Sequence, residues 1–287
     1  MGLGIRFRTI MKQNFKIGVV AHFFYAQQAQ EIVGLLKNIP FKFDLYVSSS
    51  PIAHKAIQSL LTEAFPDQQV TIRIVENRGF DIAPFVCEFK DYYASYDLVL
   101  KIHTKRSLHA KWLKDWGEYL LKNMVGSTDI VQSIIKMFQD DEKLGIVYPE
   151  IIPPFKEFLI RDPWQENWPL CCDLSSRLGL SIRKNQQPDF PAGSMFWFRP
   201  KSLEPLFKLG LTVSDFPGGR RIRRNRTLAH AIERLFVLIA EKQGFSSKQV
   251  CFIPCVYDFN NRSFLQKAKR RLYEARSSLM EFFGFCR

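Results

Sequence analysis

The stretch Tyr96–Ser107 holds a dense set of side chains that could bind an anion. A mostly apolar run is followed by His103–Ser107, which provides three side chains that can be cationic and two hydroxyls. Such a group at the end of a strand suits a diphosphate, whereas the alternative is an exposed turn with merely solvated bases. Lys101 weakens the alternative, because strand alternation places it on one face with Val99, where an ammonium needs solvent or a partner.

The stretch Glu76–Phe85 follows a run of alternating apolar residues, so its polar groups emerge at the end of a predicted strand. Gly79 permits a tight turn there. Asp81 has two interpretations that the sequence leaves open. It caps the helix that follows, or it accepts hydrogen bonds from a nucleotide base or ribose.

The stretch Asp189–Pro200 joins small residues to an aromatic strand. The small residues around Gly193 would let a ligand approach the backbone closely, and Trp197 could stack on a sugar ring. Aromatic strands are also typical of a buried core, and this is the alternative interpretation for Phe196 and Phe198.

The stretch Thr227–Phe236 predicts an amphipathic helix whose polar residues share one side. His230, Glu233 and Arg234 fall within about 100° of one another at 3.6 residues per turn. A carboxylate flanked by a His and an Arg could serve as a general base. A solvated helix face has the same composition, and periodicity does not separate the two interpretations.

The elements that must position these stretches alternate between strand and helix. Strands separated by helices predict an α/β fold with a mostly parallel, Rossmann-like sheet, in which ligands bind at the carboxyl ends of the strands. Strands are predicted at Lys16–Phe24, Phe43–Val47, Val70–Val75, Tyr96–Ile102, Gly145–Tyr148 and Ala192–Phe198. Helices are predicted at Gln27–Leu36, from Pro51, at Ile82–Tyr93, Trp112–Phe138 and Thr227–Lys242, and from Phe264 onward, with a structured loop at Pro153–Pro169.

The composition is that of a globular chain with an anionic partner. Of the 287 residues, 46% are hydrophobic and 24% are charged, which excludes wholesale disorder. Lys and Arg number 41 against 28 Asp and Glu, and the net charge of +13 suits nucleic acid, a phosphorylated substrate or an anionic membrane. No helix-turn-helix, zinc-finger or RNP-type signature occurs, so specific nucleic-acid binding is not expected.

Targeting signals are not evident in the sequence. The N-terminus lacks the apolar core and cleavage site of a secretory signal, and the apolar runs are shorter than the ~20 residues of a membrane-spanning helix. The six cysteines are scattered, and no second pair accompanies Cys251 and Cys255 at a metal-binding spacing. We expect a cytoplasmic protein with reduced thiols, with a peripheral position on the inner face of the membrane as a variant of that expectation.

Taken together, these stretches resemble the rhamnan synthesis F family of bacterial polysaccharide-assembly proteins. The matching segments are Glu76–Phe85, Tyr96–Ser107, Asp189–Pro200 and Thr227–Phe236, with Val125-Gly126 and Pro163–Trp168 as weaker points. The resemblance implies a glycosyltransferase, specifically a rhamnosyltransferase, that builds a cell-surface polysaccharide or O-antigen of lipopolysaccharide. The implied donor is a nucleotide sugar, foremost dTDP-rhamnose, the implied acceptor is a lipid-linked glycan, and the fold is GT-A-like by analogy.

On these motifs we assign roles to twelve residues. Glu233 and Asp189 are the candidate catalytic carboxylates, one of which deprotonates the acceptor. The donor-binding candidates are Asn77, Arg78, Asp81, His103, Thr104 and Lys105, and the acceptor-binding candidates are Gly193, Ser194, Trp197 and His230. The strand-end group His103–Lys105 is expected to face the donor diphosphate.

Two departures from the family pattern leave other readings open. Asn225-Arg226 stands where the family has Asp-Gly, at the end of the arginine run Arg220–Arg226. This change favours altered specificity or a non-catalytic binding subunit of a polysaccharide-assembly complex. No Asp-x-Asp motif occurs, so use of Mg²⁺ or Mn²⁺ stays open. No metal ligands are assigned, because cationic side chains can also stabilise a leaving diphosphate.

The predicted domain organisation has three parts. Residues 1–15 form an N-terminal extension, 16–259 a glycosyltransferase-like α/β domain, and 260–287 a basic amphipathic helix. The last helix could dock on anionic lipid or pack as an ordinary helix.

Overall fold

A seven-stranded sheet organises the chain. The computed structural model describes residues 15–104, 111–152, 156, 162–218 and 226–254, with the backbone alone at 111–115. The strands are β1 (Ile17–Phe23), β2 (Phe43–Ser49), β3 (Val70–Ile74), β4 (Leu98–His103), β5 (Leu144–Pro149), β6 (Phe196–Phe198) and β7 (Ser246–Val250). Their order across the sheet is β3-β2-β1-β4-β6-β5-β7.

Strand direction is parallel except at β6. This short strand runs antiparallel to both neighbours, β4 and β5, whereas every other pair of neighbours is parallel. All residues of β1 and β4 are buried, as expected for central strands covered on both faces. The mostly parallel sheet with flanking helices that the sequence predicts is therefore confirmed.

Helices join the strands and cover the sheet. They are α1 (Ala26–Leu36), α2 (His54–Ala64), α3 (Lys90–Tyr93), α4 (Lys111–Val125), α5 (Thr128–Asp140), α6 (Trp168–Leu178), α7 (Pro200–Phe207) and α8 (Leu228–Lys242), with a π-helical turn at Pro84–Glu88. Helix α8 packs against α6, α7, β5 and β7. Its aliphatic and aromatic residues join Val20, Val99 and Phe196 in one buried cluster. Because alternate residues share a face, Lys101 and His103 of β4 project toward this cluster.

Two predicted helices are interrupted in the structure. The single helix predicted over Trp112–Phe138 is two helices, because Ser127 adopts an extended conformation and its side chain accepts a hydrogen bond from Ile130 N at 3.3 Å as the N-cap of α5. The helix predicted over Ile82–Tyr93 is a π-helical turn followed by α3, with a break at Phe89.

Three elements are absent from the sequence-based prediction, and one strand is shorter than predicted. Helix α6 begins at the end of the predicted loop, α7 begins at Pro200, and β7 is a largely exposed strand without apolar alternation. The strand predicted over Ala192–Phe198 starts only at Phe196, because Gly193 and Ser194 have φ values of 90° and 59°.

Several predicted features lie outside the described residues. These are the N-terminal extension up to residue 14, Lys105, most of the arginine run (residues 220–225) and the C-terminal helix at 260–287. Among the described helices, none combines the length and the apolar character required to cross a membrane.

Candidate active site

Residues from five separate segments, most of them polar, meet at the carboxyl edge of the sheet. Strands β1 and β4 end side by side, with His22 opposite His103, and β6 begins beside Lys101. The segment after β3 and the segment before β6 both reach this edge. The residues brought together are His22, Phe80, Asp81, Lys101, His103, Ser194, His230 and Glu233.

Lys101 is the centre of the group. Its side chain is 2% exposed and forms an ion pair with Asp81. Its ammonium also donates to the Ser194 carbonyl at 2.9 Å and to Ser194 Oγ at 2.7 Å, so three donors meet three acceptors. The ring of Phe85 lies 5.2 Å from the ammonium. Burial lowers the pKa of Lys101, and the charge of Asp81 partly opposes this shift.

Asp81 faces the cation and not the helix that follows it. Helical residues begin at Ile82, but Ala83 N donates to the Gly79 carbonyl at 3.1 Å and Pro84 has no N–H, so the interpretation of Asp81 as a side-chain cap of this helix is wrong. Its Oδ2 lies 3.4 Å from His103 Nδ1 as well as beside Lys101. Burial alone would raise the pKa of Asp81, but the charges of His103 and Lys101 outweigh burial and hold that pKa well below its usual range.

Left-handed backbone turns bring the two flanking segments to Lys101. Gly79 and Phe80 have φ values of 59° and 55° immediately before Asp81, and Ser194 also has a positive φ. A Cβ at position 79 would overlap the ring of Phe216, so glycine is required there. Phe80 and Ser194 are not glycines, and strained residues of this kind persist where the surrounding contacts fix them.

Glu233 projects from α8 into the same group. Its Oε1 accepts a hydrogen bond from Gly193 N at 2.8 Å, and its charge, like that of Asp81, partly opposes the lowering of the Lys101 pKa by burial. His230 packs edge-on against Phe80 with ring centroids 5.4 Å apart, and its Nδ1 lies 2.6 Å from Thr227 Oγ1. On this face of α8, Arg234 is buried and His230 and Glu233 are half-buried, so it is not the fully solvated face of the alternative interpretation.

His22 and Thr104 stabilise the floor of the edge. His22 Nδ1 lies 2.8 Å from Ser48 Oγ, and burial lowers the pKa of His22 to about 4, so its imidazole is neutral near pH 7. Thr104 Oγ1 accepts a hydrogen bond from Phe24 N at 3.0 Å. Thr104 is 6% exposed, so its hydroxyl positions the loop after β1 in this structure.

Trp197 does not join the group. It is fully buried on the opposite face of β6, and its Nε1 donates to the Met124 carbonyl at 3.0 Å. Its predicted role in stacking on an acceptor sugar is incompatible with this position. Phe196 and Phe198 are also fully buried, which confirms the alternative interpretation of the aromatic strand as core.

Two other predicted residues contact different partners, and a third is exposed. Asp189 Oδ1 accepts from Gln249 Nε2 at 2.7 Å, and after burial itself Asp189 is the main cause of a raised pKa at Tyr148. Arg78 Nε donates to Glu76 at 2.8 Å and holds the loop to the Phe216 carbonyl at 3.1 Å. Asn77 is exposed in the same loop.

The assigned set left out three residues of the group. Lys101 was expected to need a partner, but Asp81 and Ser194 are 20 and 93 positions away in the sequence. A signal for His22 was available, since it is the polar residue near the end of an otherwise apolar strand. Phe80 carried no signal, because its positive φ depends on the tertiary structure.

A metal ion does not fit the described part of this edge. Among the described residues there is no group of three or more His, Cys, Asp and Glu side chains that could hold one. The Asp81 carboxylate faces the Lys101 ammonium, which occupies the place of a cation beside it.

The sequence matches the family model of rhamnan synthesis protein F over residues 5–245. The chain belongs to this family. Two relatives named uncharacterized protein WxcX, from Xanthomonas campestris pv. campestris strains B100 and ATCC 33913, are 33% identical over 178 residues. That match covers 61% of this chain, and the chain spans about a quarter (24%) of the length of these relatives.

Two solved structures are similar to this rhamnan synthesis F chain. A mannosyltransferase from Pyrobaculum calidifontis, in complex with GDP-Man and Mn²⁺, has a TM-score of 0.47 and 13% identity over 90% of this chain and 61% of its own. Mouse xyloside xylosyltransferase 1 in its apo form has a TM-score of 0.41 and 10% identity over 81% of this chain and 85% of its own.

Proposed function

We propose that this chain is a glycosyltransferase of polysaccharide synthesis that transfers a sugar, specifically rhamnose, from a nucleoside-diphosphate donor to a glycan hydroxyl. The observation that carries the proposal is the carboxylate of Glu233, which Gly193 N–H orients beside the Asp81–Lys101–His103 group. Membership of a family named for rhamnan synthesis supports the substrate class.

In the proposed reaction, the bond between the sugar C1 and the donor diphosphate breaks and a bond from C1 to the acceptor oxygen forms. Glu233 takes the proton of the acceptor hydroxyl, and Gly193 N–H on Oε1 fixes the direction of the carboxylate. His103, with Lys105 following it in the sequence, stabilises the negative charge of the departing diphosphate.

In this proposal Asp81 and Lys101 act on the donor side in different ways. Asp81 stays ionised because Lys101 and His103 lie beside it, and its carboxylate accepts hydrogen bonds from the donor nucleoside. Lys101 is a positioning residue, because it is buried and joins Asp81 to Ser194.

The test is donor binding followed by turnover. We would measure thermal shift and calorimetry with dTDP-rhamnose, UDP-glucose and GDP-mannose, each with and without Mg²⁺ or Mn²⁺. Stabilisation by one donor, with transfer lost in Glu233→Gln and kept in the control Glu241→Gln on an exposed turn of the same helix, is expected. Full transfer activity in Glu233→Gln would exclude Glu233 as the base.

A second candidate function is that of a non-catalytic binding subunit. Arg226 stands at the position where the resembling family has glycine, and its φ is 60°. The left-handed backbone of Arg226 strains a residue with a side chain, which favours a changed loop before α8. Donor binding without transfer to any acceptor would support this candidate over the enzyme.

The lipid-linked acceptor and a peripheral membrane position are also part of the proposal. They rest on the family and on the basic amphipathic pattern after Phe264. Deletion of residues 264–287 is expected to abolish co-sedimentation with anionic vesicles while the remaining chain stays folded. Unchanged co-sedimentation of the shortened chain would rule out this role of the tail.

A further inference from the structure

A second polar pocket lies beyond the candidate active site, next to the start of α6. It has a volume of about 310 Å³, and its lining includes Asp162, Gln165 and Trp168 from one segment and Lys184 and Asn185 from another. These side chains have no part in the proposed transfer step.

The pocket combines an aromatic wall with hydrogen-bonding groups of both kinds. Trp164 is 1% exposed and forms the base, and the half-buried ring of Trp168 lies 5.5 Å from it, centroid to centroid. Around the rings stand a carboxylate from Asp162, an ammonium from Lys184 and an amide from Asn185.

This chemistry fits a carbohydrate. One face of a sugar ring presents C–H groups that pack on an aromatic ring, while its hydroxyls both donate and accept hydrogen bonds. A carboxylate and an amide accept from hydroxyls, and an ammonium donates to them. The volume lies at the small end of the range for ligand pockets, which suits one sugar unit and not a whole glycan.

A buried arginine connects the pocket to α8. Arg234 is 4% exposed and donates to Gln165 Oε1 at 2.8 Å and to the His230 carbonyl at 3.0 Å. Gln165 has a φ of 53°, a strained conformation for glutamine, and its backbone N donates to Asp162 at 3.0 Å. Arg234, which directly follows Glu233 in α8, therefore holds the pocket wall at Gln165.

We infer that this pocket is an acceptor subsite, which holds a sugar unit of the growing glycan away from the reacting hydroxyl. The inference rests on the proposed function, because it takes the acceptor to be a glycan of two or more sugars. It adds that the chain recognises the length of the acceptor as well as its terminal sugar.

The experiment measures oligosaccharide binding without any donor. The full chain is titrated by calorimetry with rhamno-, manno- and gluco-oligosaccharides of one to six units. At least one series is expected to bind more tightly as length increases from one unit. Trp168→Ala is expected to weaken binding of the longer members about 10-fold, the size of one good aromatic contact, while Trp168→Phe keeps most of it.

The control is Asp173→Ala, which changes an exposed residue on the same helix outside the pocket. Because Trp168 also packs against the core, the double variant Lys184→Ala/Asn185→Ala serves if Trp168→Ala fails to fold, since both residues are exposed. Equal binding by the pocket variants and the wild type, or no binding of any series at millimolar concentration, would overturn the inference.

The outcomes distinguish a failure of the subsite from a failure of the proposed function. Glu233→Gln is expected to keep oligosaccharide binding while transfer is lost. Length-dependent binding that the pocket variants lose, in a chain with no transfer activity, would support the subsite and contradict the enzyme. Transfer activity with the same acceptor-length dependence in Trp168→Ala would support the enzyme and contradict the subsite.

Discussion

The two halves of the sheet's carboxyl edge each hold a carboxylate, but in different surroundings. At the ends of β1 and β4, Asp81 lies beside the Lys101 ammonium and the His103 imidazole. At the ends of β5 and β7, Asp189 contacts the neutral groups of Gln249 and Tyr148. A buried ammonium keeps the first carboxylate ionised and fixed, and the second lacks such a partner among the described residues. The half of the edge at β1 and β4 is therefore the one suited to bind a charged group.

Removal of the cation should give the largest effect on stability. Lys101→Met leaves the Asp81 carboxylate buried without its partner, and the free energy of unfolding should fall by about 3–5 kcal/mol. Asp189→Asn keeps an oxygen that accepts from Gln249, so it should change the free energy of unfolding by less than about 1 kcal/mol. Urea unfolding of the two variants measures the difference.

The double variant Lys101→Met/Asp81→Asn is the control, because it removes both charges and should recover part of the lost stability. A loss in Lys101→Met no larger than that in Asp189→Asn would remove the distinction between the two halves.

Glu233 and Asp189 can be ranked by turnover. Glu233→Gln keeps an oxygen that accepts from Gly193 N–H, so the fold should persist while the proton acceptor is lost. We expect the rate of transfer to fall about 10²–10⁴-fold, the usual contribution of a general base. Asp189→Asn should lower it far less. Steady-state kinetics with the donor identified by calorimetry decides, and the reverse ranking would make Asp189 the base.

The residues of the candidate active site show how much of a site the sequence predicts. The position of Lys101 in an apolar strand predicts that it needs a partner, and the spacing of α8 places His230 and Glu233 on one face. The partners themselves depend on positive φ values at Phe80 and Ser194, which local preferences of non-glycine residues do not encode. Because these turns bring together segments that are distant in the sequence, the partners of Lys101 are not predictable from the local sequence.

The fold is predictable where hydrophobic periodicity is strong. The alternation of apolar strands and helices predicts the parallel part of the sheet from β1 to β4. Strand β7 has an exposed, polar sequence, so no period-2 pattern marks it, and its pairing with β5 depends on tertiary contacts. Trp197 is misassigned for a related reason: an aromatic strand does not reveal which face meets a helix and which meets a ligand.

Acid should weaken the half of the edge that contains His22. Burial lowers its pKa from 6.5 to about 4 in the folded chain, so the unfolded chain binds more protons between these pH values. Stability from this group is complete above pH 6.5 and is lost as the pH falls toward 4, by about 3 kcal/mol. Unfolding free energies at pH 7, 5.5 and 4.5 measure the slope.

His22→Asn, which lacks a titrating ring, should flatten that slope. The loss of stability due to protonation of Asp81 is expected only at lower pH, because the pKa of Asp81 is held well below the ordinary value of 3.8. An unchanged slope in His22→Asn would assign the acid sensitivity to other groups.

Trp197 lies on β6, between the two halves, and should affect stability without affecting chemistry. Trp197→Phe removes the indole donor from the buried Met124 carbonyl and leaves a small void, so unfolding should become easier by about 1–3 kcal/mol. The Michaelis constant for the acceptor should stay unchanged, because the ring faces the core on the side of the sheet away from Lys101. A rise in that constant, with stability intact, would instead mean that β6 turns its aromatic face to the glycan, and the division of the edge into a charged and a neutral half would have to be redrawn around it.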